Sequence, residues 1–252
     1  MMAQAVVRTD ALLALITGFG ENVLDLRLTV KDNKLSGAVG MTTHFCSKGI
    51  PVIVAEDTPY HAGDILVPDV AKAAAFLKAS KEKTTSLRHV GNVLTLRSGS
   101  NEFSTPSHNN VLSHQSVGRA QLALAEAQSN NWTKLGRANL EVHGVLNMGD
   151  LHGLATMSKV TGKDSPVRIR IEDGEMVITA GNERGARMSR TIDVDVKDGD
   201  MAETVFGGHL PRLLHAMPSG DVLFHMGNRS ALVLRHGEQD AMLVLMHQEG
   251  VR

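Results

Sequence analysis

Aromatic residues are scarce in this chain: six Phe, one Trp and one Tyr make up 3% of 252 residues. Stacking on single-stranded bases draws on exposed rings, so a single-strand-binding platform is poorly supplied, and the core has to be built from Leu, Val, Ile, Ala and Met. Cysteine is scarcer still. Cys46 stands alone, which excludes an intramolecular disulfide and a cysteine-paired zinc site and points to a reducing, intracellular, cytoplasmic setting. A surplus of charge is also missing, because 26 Lys and Arg face 27 Asp and Glu for a formal net charge of -1. No whole-molecule positive field holds a polyanion, and any nucleic-acid contact must come from a local basic patch. Finally, no apolar run approaches the roughly 18 residues that span a bilayer. The apolar stretch from Ala11 to Phe19 has Asp10 at its edge and no cleavage pattern behind it, so it reads as neither membrane anchor nor secretory signal. The sequon-like triplets at Asn131 and Asn228 are then without consequence.

Signatures of chemistry are missing as well. The twelve His are scattered, with no H-E-x-x-H and no cysteine partners, so no metal is expected. No G-x-S-x-G elbow occurs, and Gly162-Lys163 is followed by Asp164 without the upstream glycine of a phosphate loop, so no cofactor is expected either. Glu172-Asp173 and Asp193 with Asp195 fall on strand or turn patterns, where carboxylates are ordinarily solvated and structural. The chain is expected not to be an enzyme. The competing reading, an enzyme on an unfamiliar frame, would need a pocket gathering several of the histidines.

What the sequence does contain is a repeat. With 42% hydrophobic residues the chain can bury one large core or two ordinary ones. Leu12, Leu15, Ile16 and Phe19 follow the i, i+3, i+4, i+7 spacing of a helix with one apolar stripe, and Leu151, Leu154 and Ala155 reproduce its first three positions 139 residues later. A second stripe, Val70, Ala73, Ala74 and Leu77, follows Pro68, and its counterpart is Leu210, Leu213, Leu214 and Met217, with Arg212 in the outward place of Lys72. Burying four such side chains is worth roughly 6 to 12 kcal/mol gross, enough to hold a helix too short to stand alone.

Between the helices the period changes to two. Leu24, Leu26, Leu28 and Val30 alternate with Asp25, Arg27 and Thr29 before Asp32-Asn33, and Val167, Ile169 and Ile171 alternate with Arg168 and Arg170 before Asp173-Gly174. Both read as half-buried hairpins. After the second helix of each half, Leu87 to Val90 and Val93 to Arg97 flank Gly91-Asn92, as Val222 to Met226 and Ala231 to Arg235 flank Gly227-Asn228. The expected organisation is α+β: two similar domains, 1–108 and 136–252, each with two short helices packed on antiparallel sheets, joined by a polar connector, 109–135. Within the connector Leu122, Leu124 and Ala125 read as a short helical turn or an adhesive strip.

Helices confined to one face of a sheet share one outward surface. Lys72 and Arg212 are expected centrally on it, Lys78 and Lys159 at the flanks, and Lys81, Lys83 and Lys163 in the turns that follow. Asp10, Asp69 and Asp150 lie at the helix starts, placed to cap them.

Taken together, the two-fold repeat, the helices with one basic side and several strings resemble the DNA sliding clamps, the ring-shaped processivity factors of replicative polymerases. The strings are Asp164-Ser-Pro-Val-Arg-Ile-Arg-Ile-Glu-Asp-Gly-Glu-Met-Val-Ile, Gly208-His-Leu-Pro-Arg-Leu-Leu-His-Ala-Met, Ala241-Met-Leu-Val-Leu-Met-His, and Asp64-Ile-Leu-Val-Pro-Asp-Val-Ala-Lys with Asn101-Glu-Phe-Ser-Thr beyond it. The resemblance covers nearly the whole chain. It implies a DNA-clamp (processivity) fold closing into a six-domain ring as a homotrimer, opened by a clamp-loader ATPase and tethering a DNA polymerase on double-stranded DNA. The alternative is a monomeric clamp-fold processivity subunit or an interaction scaffold.

By the same resemblance, the strand near Asn101 to Ser107 would pair with the strand near Ala186 to Val194 of the next chain. Lys72, Lys78, Lys81, Lys83, Lys159, Lys163 and Arg212 would face duplex phosphates. A partner groove would gather Met41, His44, Phe45, Leu122, Ala231, Met246 and His247. Two features depart from the family pattern. The first helix of each half presents Ala14 or Gly153, then Thr17 or Thr156, where the family has lysines, and the net charge of -1 is less acidic than is common among clamps. Both are compatible with a divergent, phage-type clamp.

Overall fold

A computed structural model describes residues 2–19, 23–40, 44–54, 58–107, 111–162, 164–181, 185–199, 201–208, 210–215, 217–237 and 241–245. For 111–117, 120, 152, 155, 156, 158, 212, 215, 241–243 and 245 only the backbone is described. The chain divides into two compact units, one of residues 1–39 and 47–115, the other of 40–46 and 116–252.

In chain order the first elements are β1 (Met2–Arg8), α1 (Thr9–Thr17), β2 (Leu26–Lys31), β3 (Lys34–Gly40), β4 (His44–Pro51), β5 (Gly63–Val67), α2 (Val70–Ala79), β6 (Thr84–Val90), β7 (Val93–Ser98) and β8 (Asn101–Pro106). They form antiparallel strands in the orders β1-β6-β7-β8 and β4-β3-β2-β5. Ala3, Ala5 and Val7 of β1 and Leu87 of β6 are buried, as are Leu26, Leu28 and Val30 of β2, so alternation delivers one face of each sheet to the core. Leu12, Leu15, Ile16 and Phe19 are buried with them, as are Val70, Ala73, Ala74 and Leu77, and α1 packs on α2. Both apolar stripes therefore do what their spacing predicts.

The remaining elements are α3 (Val111–Ser129), β9 (Lys134–Leu135), β10 (Ala138–Asn139), β11 (Val142–Asn147), α4 (Met148–His152), α5 (Leu154–Thr161), β12 (Val167–Glu172), β13 (Glu175–Gly181), β14 (Arg187–Asp193), β15 (Asp195–Asp198), β16 (Met201–Phe206), α6 (Leu210–His215), β17 (Asp221–Met226), β18 (Leu232–His236) and β19 (Ala241–Leu245). The strand orders β11-β17-β18-β19 and β14-β13-β12-β16 repeat those of the first unit, with β11, β17, β18 and β19 in the places of β1, β6, β7 and β8, and β15 is added beyond β11. The fold is α+β with an internal repeat.

Both predicted hairpin turns have two left-handed residues, Asp32 at φ 50° with Asn33 at φ 58°, and Asp173 at φ 52° with Gly174 at φ 80°. That geometry matches the twist of the strands it joins, and Asn, Asp and Gly tolerate it best. The repeat is also altered in places. Leu24 does not join the β2 stripe: it is exposed, and its carbonyl accepts a hydrogen bond from Val70 N at 2.9 Å, which ties its backbone to the start of α2. The stripe beginning at Leu151 spans two helices, α4 and α5, divided at Gly153, where Arg190 occupies the space a β-carbon would need.

Capping is shared out differently from the expectation as well. Asp69 caps α2, but the N-cap of α1 is Arg8, without a side-chain bond, and α4 is capped by Asn147, which accepts from Gly149 N at 2.9 Å. Asp10 and Asp150 sit instead in the first turns of their helices, where a carboxylate favours the dipole without being the cap. In the connector a nineteen-residue helix, α3, stands where a single turn or strip is read from the sequence.

Candidate nucleic-acid and partner interfaces

The cations of the first unit lie on and just after α2. The Asp69 carboxylate accepts from the Lys72 amide at 2.9 Å and holds the Lys72 ammonium at 2.9 Å. One side chain thus caps the helix and neutralises the residue three positions on. Hydrogen bonding from Lys72 pulls Asp69 below the usual carboxylate range, and the same bond raises the Lys72 ammonium above its ordinary value. Lys78 is exposed in the last turn of α2, where a cation complements the carbonyl end of the helix. Lys81 and Lys83 are exposed in the following segment, and the Lys83 carbonyl accepts from Thr9 N at 2.9 Å, which fixes that segment against the start of α1.

In the second unit, Lys159 is exposed in the last turn of α5, and the backbone places Arg212 on α6. These two helices pack against each other. Lys163 lies outside the described residues. The structure thus brings Lys72, Lys78, Lys81 and Lys83 together around one helix and sets Lys159 and Arg212 on adjoining helices.

Each unit also ends a sheet on an unpaired strand. Among the described residues β8 pairs only with β7, and β14 only with β13, and outward residues of both are exposed. An open antiparallel edge presents a row of backbone donors and acceptors to whatever strand approaches it.

Of the seven candidate groove residues, Met41, Met246 and His247 lie outside the described residues. His44 and Phe45 in β4 and Ala231 ahead of β18 are buried, whereas Leu122 on α3 is 74% exposed.

A cluster that the sequence reading missed lies in the second unit. Trp132, just after α3, stacks on His225 with ring centroids 5.6 Å apart, and His225 stacks on His143 at 5.5 Å. The Arg235 guanidinium sits over the Trp132 ring at 4.2 Å. The chain enters this place through a tight turn: Asn131 and Trp132 both have positive φ, the Trp132 amide donates to the Ala127 carbonyl at 2.7 Å, and Asn130 Oδ1 accepts from the Thr133 and Lys134 amides. Burial first, then the charge of Arg235 and the proximity of His143, push the His225 imidazole down to about 4. The available sequence signal was the lone Trp behind an Asn-Asn pair, since Asn tolerates left-handed backbone. Among the described residues no three His, Cys, Asp or Glu side chains converge as a metal site, and no helix is long and apolar enough to cross a membrane.

No family model and no curated protein matches the sequence. Solved structures do match. A. fulgidus PCNA, in a complex with the C-terminal region of FEN-1, is similar at a TM-score of 0.73 and 14% identity, covering 100% of both chains. A chain from Eubacterium rectale assigned as a DNA polymerase III beta subunit matches at 0.73 and 14% over 98% of this chain. The DNA polymerase sliding clamp from Pseudomonas aeruginosa, in a structure with ligand, matches at 0.73 and 13% over 98% of this chain. The present chain spans 66% and 67% of the lengths of these last two.

Proposed function

We infer that this chain, whose fold is that of the sliding clamps, works as a processivity clamp. Three copies close head to tail into a ring of six similar domains around duplex DNA. The ring tethers a replicative DNA polymerase and other DNA-processing proteins, and a separate clamp-loader ATPase opens it. The chain contributes no bond-making chemistry of its own in this reading.

The observation that carries the proposal is the pair of open edges, β8 in one unit and β14 in the other, within a repeat of two like units. A contact of β8 with β14 of the next copy is heterologous, and repeated at a fixed rotation it closes a ring in which both of these edges are paired. The charge distribution supports the same reading. A ring keeps its DNA by topology, so its contacts can be few and weak, which suits a neutral chain with a handful of exposed lysines near its helices. Weak, sequence-independent phosphate contacts also permit sliding. Lys72, Lys78, Lys81, Lys83, Lys159, Lys163 and Arg212 are the residues proposed to supply them. Met41, His44, Phe45, Leu122, Ala231, Met246 and His247 remain the proposed partner groove.

Light scattering behind gel filtration, over a concentration series, tests the assembly. Three chains of 27.1 kDa give a particle of about 81 kDa. The second step compares retention on closed circular DNA with retention on the same DNA after linearisation. The ring predicts loss on linearisation. A mass of 27.1 kDa throughout, with equal retention on both forms, replaces the ring by a monomeric processivity subunit or scaffold.

A further inference from the structure

The strand registers define equivalent sheet faces in the two units, filled in the second and, among the described residues, open in the first. Arg8 and Asn147 end β1 and β11, each directly before a helix, so Gln4 and His143 occupy equivalent positions four residues earlier. Across the ladders Gln4 faces Arg88, and His143 faces His225. Two residues further on, Ser86 faces Arg97, and Leu223 faces Arg235. Gln4, Arg88 and Arg97 of the first unit therefore stand where His143, His225 and Arg235 stand in the second. Alternation turns them away from the buried face that carries Ala3, Ala5 and Leu87.

In the second unit this place receives an aromatic side chain: Trp132 lies 8% exposed, stacked on His225 under Arg235. In the first unit Arg88 and Arg97 are exposed, and Arg88 has no ion-pair partner among the described residues. Beside them Met2, Val90, Val93 and Pro106 follow one another across the four strands, and Met2, Val90 and Val93 are exposed large apolar residues. A row of exposed apolar side chains next to unpaired arginine is a typical feature of a recognition surface.

We propose that this face of the β1-β6-β7-β8 sheet docks an acidic peptide segment of another protein that carries one aromatic anchor. Arg97 takes the ring, as Arg235 does in the second unit, through the attraction of a guanidinium for a π-face. Arg88 replaces a neutral His and takes a carboxylate in a charge-assisted hydrogen bond. Its ladder neighbours Gln4 and Thr95 are uncharged, whereas Glu102 stands opposite Arg97, so the acidic group belongs at Arg88 and the ring at Arg97. The apolar row receives an aliphatic neighbour of the anchor. The inference requires neither ring closure nor DNA.

The probe is the peptide Asp-Glu-Trp-Leu-Glu-Asp-amide carrying fluorescein on its N-terminal amine, titrated with the full chain and followed by fluorescence anisotropy. Saturable binding at millimolar concentration or below is expected, weakened about tenfold or more by Arg88→Glu, by Val93→Asp, or by Ala in place of the peptide's Trp. Arg88→Gln is expected to fall between wild type and Arg88→Glu. Absence of saturable binding to the wild-type chain at millimolar concentration overturns the proposal, and so does binding that Arg88→Glu leaves unchanged.

Discussion

Arg235 holds its guanidinium carbon 4.2 Å from the centre of the Trp132 ring, tying the turn that follows α3 to strand β18. Trp132 is the only Trp in the chain and is almost fully buried, so its loss removes a large apolar contact and leaves a cavity. Trp132→Ala is expected to lower unfolding free energy by about 3 kcal/mol or more in urea titrations. Arg235→Leu, which keeps bulk and removes the cation, is expected to cost about 0.5 to 2 kcal/mol. The double variant is expected to cost less than the two together, and strict additivity would show that the pair is not coupled.

The same cluster gives an acid-sensitive term. His225 titrates at about 4 when folded and near 6.5 when unfolded, so the unfolded chain binds the proton first. The stabilisation is complete above roughly pH 6.5 and is lost progressively as the pH falls toward 4, amounting to up to about 3 kcal/mol. His225→Leu is expected to flatten the stability profile over that window. A variant profile that falls as steeply as that of the wild type would assign the acid sensitivity to other groups.

The helices and hairpins were legible because Leu12, Ile16, Val70 and Leu77 repeat at helical spacing, and Asp32-Asn33 and Asp173-Gly174 are turns with a single favoured geometry. The division at Gly153 was not legible, because Arg190, which fills the space beside it, comes from a distant strand. The Trp132 cluster escaped for the same reason: His143, His225 and Arg235 meet only after β11, β17 and β18 have paired in register. Among the site residues, the exposure of Lys72 on α2 could be read from its place opposite the apolar stripe. Its partner Asp69 was visible as a cap, but the second use of that carboxylate, as an ion-pair partner, depends on rotamers that spacing does not fix.

Gly227 closes the turn after β17 in a place with no room for a side chain. An added β-carbon would overlap the backbone carbonyl oxygen of Asn139. The Gly227 carbonyl accepts from Thr204 Oγ1 at 2.7 Å and its amide donates to the Ala231 carbonyl at 3.3 Å, so the backbone cannot withdraw without breaking these bonds. Gly227→Ala is expected to destabilise the fold by on the order of 2 kcal/mol. Gly91, at the equivalent turn of the first unit, meets nothing within 4 Å but has φ 59°, so Gly91→Asn is expected to be tolerated. Paired thermal unfolding curves distinguish the two sites, and equal losses would refute the steric account.

The ion pair at the head of α2 makes the proposed DNA contact of Lys72 testable in two directions. Asp69 holds the Lys72 ammonium at 2.9 Å, and a phosphate that recruits Lys72 must compete with that carboxylate. Asn at this position still caps the helix, since its side-chain oxygen accepts from the Lys72 amide as Asp69 does, but it no longer competes. Asp69→Asn is therefore expected to lengthen retention on closed circular DNA. It should also make retention steeper in salt, by up to about 0.9 in the log–log slope for one released phosphate contact. Lys72→Ala is expected to do the reverse, with a slope shallower by about 0.9. The helix is preserved in both variants, so circular dichroism should be unchanged. If Asp69→Asn leaves the salt slope where it was while Lys72→Ala also has no effect, Lys72 does not face phosphate, and the basic contacts must come from elsewhere on the helices.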